Sequence, residues 1–415
     1  MNILIAFMAL LLIVAVAALI YKYNIFNQRE LPLMVVLVAT VAYFIMAIIA
    51  LIAYELAGSN IVIPGVGTLI TLLAFFFVMA IVVIAHELGH FATAKACGVR
   101  VDEFGIGFPP RIIAVKYGET EYSLNWVPLG GFTRMAGEED PKIERSLASK
   151  SIPKRLLVLS AGSIMNFILP FLLLTIAFMI PHNNVTGNVN VAEVVAKSPA
   201  EMAGIVAGDR ILEISGKTIN NTADVSRYIQ IYLGNEMDIL LERTDGSKKT
   251  VTVVPRWNPP KGEGSVGFAI RTEDPTIVKQ SFNPWIALKK GIVETFEIMV
   301  LFKNGILSMF VGTSASADLV GPVGIAQITG EVARTGISPL LKWTAFFSIN
   351  LAIINMLPLP ALDGGRIIFV LLEWIRRGKK VSPETEGKIH FIGFALLIML
   401  MVAITFQDIG RIIAE

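Results

Sequence analysis

The chain has 415 residues, 54% of them hydrophobic and only 16% charged, with a mean hydropathy of +0.67, which describes an integral membrane protein carrying some soluble mass. A net charge of +2 argues against a dedicated nucleic-acid binder, and the single cysteine, Cys97, excludes an intrachain disulfide and a cysteine-rich zinc module.

Hydropathy predicts about six spanning helices of about 20 residues each: Ile3 to Tyr21, Leu33 to Tyr54, Thr68 to Ala94, Leu156 to Ile180, Leu341 to Leu357 and Phe391 to Phe406. Met1-Asn2 offers no basic leader and Lys22 follows the first apolar run, so that run reads as a retained span rather than a cleaved signal peptide. Residues 1–64 thus form a unit of two N-terminal spans. The third span carries the chemistry. From Leu69 to Ala85 its one polar residue is Thr71, and it runs directly into His86-Glu87-Leu88-Gly89-His90. Histidines four apart lie on one helix face, where both imidazoles reach a Zn²⁺ at about 2.0–2.1 Å while the intervening Glu87 serves as general base toward water. A five-residue match arises by chance in soluble chains. Here an ionisable group in or beside a span costs about 2.5–3.5 kcal/mol at the helix centre, which favours a functional reading.

After this motif, Arg111 to Tyr117 and Thr120 to Val127 predict a β-hairpin turning at Gly118-Glu119, within a unit covering residues 65–180. Its edge suits pairing with an extended peptide, the alternative being a hairpin that merely packs on the membrane face. In the fourth span Ser160-Ala161-Gly162-Ser163 permits close helix approach, and Asn166 and Pro170 read as helix packing or a kink. The hydrophilic segment that follows contains Ser198 to Gly216, which closely resembles the helix, turn and strand of a bacterial PDZ domain, here residues 185–270. That likeness implies capture of peptide termini or steric screening of substrates, with Ser265 to Ala269 as the accepting strand and loop, the alternative being a structural cover without ligand. Residues 281–330 follow as an interfacial segment. In it Pro284 to Gly312 predicts an amphipathic helix at a lipid surface, and Gly321 to Ala326 suggests a tight turn.

The last unit, residues 335–415, holds Asn355-Met356-Leu357-Pro358-Leu359-Pro360-Ala361-Leu362-Asp363-Gly364-Gly365. Prolines before an acid and glycines after it describe a helix that breaks and turns a carboxylate inward, a backbone tolerated at membrane depth only when buried in protein or lining a wet cavity. Asp363 is therefore a candidate third ligand; the alternative is an interfacial loop in which it caps the next helix. His182 and His390 read as interfacial residues.

Basic residues orient the loops. The Glu55 to Gly67 link has no Lys or Arg, whereas Lys95 to Arg155 is crowded with them and Arg376-Arg377-Gly378-Lys379-Lys380 is a second cluster. The N-terminus and the PDZ-like segment are expected outside. His86, about 25 Å along the helix from Leu69, falls in the cytoplasmic half of the bilayer.

The HELGH helix followed by the Asn355 to Gly365 element resembles the site-2 protease family of intramembrane zinc metalloproteases, in its bacterial RseP-like branch, from about Gly65 to the C-terminus. The resemblance implies a polytopic α-helical protein of the bacterial cytoplasmic membrane with a cytoplasmic β-hairpin and one PDZ-like α+β domain. By the same resemblance His86, His90 and Asp363 bind Zn²⁺ and Glu87 is the general base, while Asn355, Gly130, Gly131 and Phe132 help hold the substrate. Substrates would be single-span membrane proteins, such as anti-sigma factors or signal-peptide remnants. A membrane-anchored zincin acting on soluble peptides and a non-catalytic membrane-tethered PDZ scaffold are the alternatives. A transporter is disfavoured, because no repeat relates the halves.

Overall fold

A computed structural model describes residues 66–138, 140–311 and 320–414. The two N-terminal spans expected from hydropathy lie outside these residues. The four remaining ones each coincide with a helix long and apolar enough to cross a membrane: Gly67–Ala96, Ile152–Met179, Ile337–Met356 and Pro383–Arg411. The described residues divide into two compact units, one made of residues 66–177 and 320–414, the other of residues 178–311.

The first unit opens with helix α1 (Val66–Ala96), whose 31 residues extend about 45 Å at 1.5 Å per residue, ample for a bilayer core of about 30 Å. Strands β1 (Val101–Tyr117) and β2 (Thr120–Met135) follow. The expected hairpin is present, with Tyr117 opposite Thr120 and Arg111 opposite Asn125. Its strands are longer than the sequence suggested and fold back on themselves. Phe104 pairs with both Tyr122 and Thr133, and Ile106 with both Leu124 and Gly131. The runs therefore lie in the order 111–117, 120–125, 101–106, 131–135, and the last run is an edge among the described residues. Glu103, 3% exposed, ties all four runs together by accepting from Ser123 Oγ at 2.8 Å, Arg111 at 2.7 Å and Arg134 at 3.1 Å.

Helix α2 (Ile152–Met179) continues unbroken through Pro170. Its first half joins α1 and the sheet in a core of Ala94, Val99, Val101, Met135, Val158 and Leu159. After the second unit come α6 (Pro322–Arg334), α7 (Ile337–Met356), α8 (Asp363–Ile375) and α9 (Pro383–Ala414). Ile70, Ala74, Phe77 and Val78 of α1 pack with Ala333 of α6 and Leu340 of α7. The Gly321–Ala326 segment starts α6 rather than forming an isolated turn. Its backbone amides at Gly321 and Gly324 donate to the buried Asp408 carboxylate of α9 at 3.2 and 2.8 Å, so a neighbouring helix supplies the missing cap.

The second unit is a sheet of β3 (His182–Val194), β4 (Arg210–Ile214), β5 (Lys217–Thr218), β6 (Met237–Glu242), β7 (Lys248–Val253) and β8 (Phe268–Gln280), in the order β7-β6-β4-β3-β8 with β5 on β4. Short α3 (Pro199–Met202) is capped by Ser198, and α4 (Thr222–Ile231) by Asn221. Val189, Val191, Ile239 and Leu241, alternating along their strands, fill the core with Ile211 and Ile214, which lie either side of a register shift in β4. Helix α5 (Pro284–Val311) buries Ala287, Gly291, Thr295 and Ile298. It is anchored to α4 by Arg227, which contacts Glu294 at 2.5 Å and Glu297 at 2.9 Å, and by Asn304, which donates to the carbonyl of Gln230 at 2.7 Å. Trp285, Phe296 and Phe310 project from its other side, exposed, as an amphipathic helix requires.

Candidate metal centre

The apolar sequence of α1 makes it a helix, and the helix then fixes two imidazoles one turn apart. The rings of His86 and His90 stand 4.8 Å apart between centroids, both buried, on the face turned toward α2. That approach needs small residues. A Cβ at Gly89 would stand 2.8 Å from the carbonyl carbon of Ala161, and one at Gly162 would fall 2.7 Å from His86 Nε2 and collide with His90 as well. The small-residue cluster of α2 thus lets the histidines face across the interface, a use the sequence suggested only as close packing.

Asp363 arrives by a different route. Helix α7 ends at Met356, Pro358 and Pro360 prevent its continuation, and the chain restarts as α8 with Leu362 at the N-cap and Asp363 as its first residue. Asp363 does not cap its own helix. The turn is tight because Gly364 and Gly365 lie against backbone: a Cβ on Gly364 would be 2.6 Å from the Met356 carbonyl, and one on Gly365 would be 3.0 Å from the Leu359 carbonyl carbon. Two ion pairs hold α8 in place. Arg155 of α2 meets Glu373 at 2.5 Å with both side chains 11% exposed, and Arg366 meets Glu138 at 2.6 Å. Removing one member of the buried pair leaves an uncompensated charge, at a cost of about 3–5 kcal/mol.

The result is a triangle of donor atoms. Asp363 Oδ2 lies 3.1 Å from His86 Nε2 and 3.2 Å from His90 Nε2, and the two nitrogens are 3.2 Å apart. Ligand atoms at about 2.0–2.1 Å from a tetrahedral Zn²⁺ stand about 3.3 Å from one another, so these three fit one such ion with a position left open. The proton on His90 is directed accordingly. His90 Nδ1 lies 2.8 Å from the Val158 carbonyl, which only accepts, so Nδ1 carries hydrogen and Nε2 offers its lone pair to the triangle. Beside His86 Nδ1, at 3.4 Å, stands the amide nitrogen of Asn166, fully buried, whose Oδ1 has no hydrogen-bond partner among the described residues. Turning that amide over gives Oδ1 the His86 Nδ1–H and orders the second imidazole in the same way.

A cleft of about 570 Å³ opens onto the triangle, lined by Glu87, Gly131, Phe132, Thr133 and Arg366 among others. Glu87 accepts a hydrogen bond of 2.8 Å from Thr133 Oγ1, which holds its carboxylate at the cleft wall next to the edge run 131–135. Of the residues singled out from sequence, His86, Glu87, His90, Gly131, Phe132 and Asp363 share this cleft. Gly130 and Asn355 are not among its lining residues. Gly130 packs under the Phe108 ring, and Asn355 is the penultimate residue of α7, half-buried. Neither His182 nor His390 belongs to the donor group found among the described residues. Asn166, Gly162 and Thr133 were not foreseen in these roles. A buried Asn in an apolar span, one turn from Gly162, was a signal available for the first two; nothing in the sequence distinguished Thr133.

The chain is similar to known proteins over most of its length. The profile of peptidase family M50 matches residues 74–400. The zinc metalloprotease RasP of Geobacillus kaustophilus is 31% identical over 406 aligned positions, covering 78% of this chain and 94% of its own length. The zinc metalloprotease RasP of Oceanobacillus iheyensis is 31% identical, with 78% of this chain and 95% of that protein aligned. A Clostridium perfringens protein is 37% identical over 325 positions, covering 78% and 93%.

Proposed function

The chain belongs to peptidase family M50 and is an intramembrane zinc metalloprotease of multi-pass architecture, and from that premise we propose that His86, His90 and Asp363 hold the zinc, that Glu87 is the general base, and that the substrates are single transmembrane segments of other proteins. One observation carries the assignment. Three donor atoms from two distant stretches of chain converge within 3.2 Å between helices of membrane-spanning length.

Zinc in this donor set supplies Lewis acidity toward the scissile carbonyl and lets water ionise near neutral pH. The residues of the chain do the rest. Glu87, kept at the cleft wall by Thr133, takes the proton from the attacking water and returns it to the leaving amine. A helical segment hides its carbonyls in internal hydrogen bonds, so it must be unwound before attack. The free edge of run 131–135, which borders the cleft beside Glu87, suits it to receive the unwound strand by β-addition. Gly131 keeps this edge close to α1, since a Cβ there would sit 3.0 Å from Val83 and 3.1 Å from Glu87. Asn355 is assigned to the same task on family likeness alone, as a residue reached once substrate enters.

In the second unit, β8 is an edge strand preceded by the Ser265–Gly267 loop, with α4 nearby. This supports a PDZ-like reading in which a peptide terminus pairs with β8. Loop charges support a bacterial cytoplasmic membrane location with this unit outside and the metal centre in the cytoplasmic half. The exposed aromatic residues of α5 suit contact with the lipid surface.

The test is cleavage of a single-span substrate reconstituted in lipid by wild type and Glu87→Gln, with and without chelator. Zinc-loaded wild type is expected to give product, Glu87→Gln to be slower by about 10²–10⁴, and chelator to stop both. Equal product from both proteins would remove Glu87 from the mechanism. Cleavage of a soluble casein-like protein as fast as the membrane segment would point to an anchored zincin instead.

A further inference from the structure

The turn that delivers Asp363 has a keeper outside its own helix. Ala361, two residues before the carboxylate, has φ +74°, a left-handed backbone that is uncommon for a residue with a Cβ and persists only when its surroundings enforce it. The enforcing contact comes from α9. Ala361 N–H donates to His390 Nδ1 at 2.9 Å, its one hydrogen bond among the described residues. Three residues along α9, Gly393 brings the helix flush against the same turn, where a Cβ would be 3.1 Å from the Pro360 carbonyl carbon. On its other side the imidazole rests against Phe369 of α8, with centroids 5.5 Å apart. The His390 side chain is 16% exposed, and its Nε2 has no hydrogen-bond partner among the described residues, Glu386 being 3.9 Å away. Its polar chemistry is therefore directed at one backbone amide. To accept from that amide the ring must be the neutral tautomer with hydrogen on Nε2.

We propose that His390 is a positioning residue for the metal centre: its Nδ1 fastens Ala361 in the left-handed turn and thereby holds the Asp363 carboxylate against His86 and His90. This rests on the reading of Asp363 as a zinc ligand. Without the acceptor, Ala361 N–H loses its partner and its backbone is free to leave the strained region. Either change swings the carboxylate two residues later. An Ala in place of Gly at 361 makes the turn dependent on this outside tie. The last span thus takes part in building a centre to which it contributes no ligand.

The test compares zinc affinity, measured by competition against a chelator series, with kcat and KM on a single-span substrate in liposomes. The proteins are wild type, His390→Ala, His390→Asn, His390→Gln, the double variant Ala361→Gly/His390→Ala, and Asp363→Ala, matched for thermal melting. His390→Ala is expected to weaken zinc binding by about 10- to 100-fold, the range for residues that orient metal ligands, and to lower kcat with KM little changed. Asn places its Oδ1 where Nδ1 stood and is expected to restore most of the affinity. Gln places its oxygen where Nε2 stood and is expected to restore little. Ala361→Gly, which removes the conformational cost, is expected to recover part of the loss in the double variant. Wild-type affinity and kcat in His390→Ala, or equal behaviour of Asn and Gln, would overturn the proposal while leaving Asp363 a ligand if Asp363→Ala has lost zinc. Undiminished zinc affinity in Asp363→Ala would overturn both readings.

Discussion

The two halves of the metal centre are built on opposite principles. His86, Glu87 and His90 are placed by the period of one regular helix, so their mutual geometry is settled once the sequence is helical. Asp363 is placed by a turn of irregular backbone, with two prolines, two close-packed glycines and a left-handed Ala361, and by ion pairs and a hydrogen bond reaching in from α2, α9 and the segment after β2. Helical periodicity is local and robust. A turn held by tertiary contacts is neither, so perturbations remote from the zinc should reach Asp363 more easily than the histidines.

The largest expected effects come from removing either half. His86→Ala, His90→Ala and Asp363→Ala should each abolish stoichiometric zinc and proteolysis, read by metal analysis and substrate cleavage. Glu87→Gln should retain zinc yet lose about 10²–10⁴ in kcat, the range for a general base; substantial activity in it would break the division of labour within the helical half. Next is Gly162→Ala. Its methyl group would meet both imidazoles, so zinc affinity should fall by about 10- to 100-fold although no ligand has changed. Unaltered affinity there would show that α1 and α2 separate at little cost. Thr133→Val keeps the side-chain shape but withdraws the hydroxyl from Glu87. A hydrogen bond to a charged group is worth about 1.5–3 kcal/mol, so kcat should drop by about 10- to 150-fold, with zinc content unchanged.

The smallest effect belongs to the hairpin tip. Arg145 and then Lys95 hold the Glu119 carboxylate down at about 2, against an ordinary value of 4.5. Because the folded value is depressed, this clamp contributes fully above about pH 4.5 and is lost as pH falls toward 2. Glu119 is partly exposed, so the contribution is modest and screened by salt. Glu119→Gln should flatten the acid limb of the thermal-stability profile slightly and leave neutral-pH cleavage nearly unchanged.

The same contrast explains what could be read from sequence. The HELGH helix was legible because spacing and hydropathy are properties of contiguous residues, and the positions of the four spans among the described residues followed for the same reason. The hairpin turn at Gly118-Glu119 was legible too. Its second layer of pairing was not, since Phe104 finding both Tyr122 and Thr133 depends on the chain doubling back at 107–110. Asp363 was visible as a candidate through its prolines and glycines, yet composition alone left a capping role open, and only packing separates the two. Asn166 looked like a helix-packing residue because its partner, His86, lies 80 positions away on another helix. The Gly321–Ala326 segment had no legible role because the carboxylate that caps it, Asp408, is supplied from near the end of the chain. Asn355 and Gly130 show the opposite outcome, residues marked by motif that do not line the cleft.

The central claim is that a carboxylate from α8 joins two imidazoles from α1 on one zinc ion. Zinc-edge X-ray absorption of the purified protein tests it most directly, with wild type and Asp363→Ala measured side by side. The account predicts a wild-type shell of nitrogen and oxygen donors at about 2.0–2.1 Å with the scattering signature of two imidazoles, and its loss in Asp363→Ala. An identical spectrum in the two proteins, or a first shell containing sulfur, would contradict it.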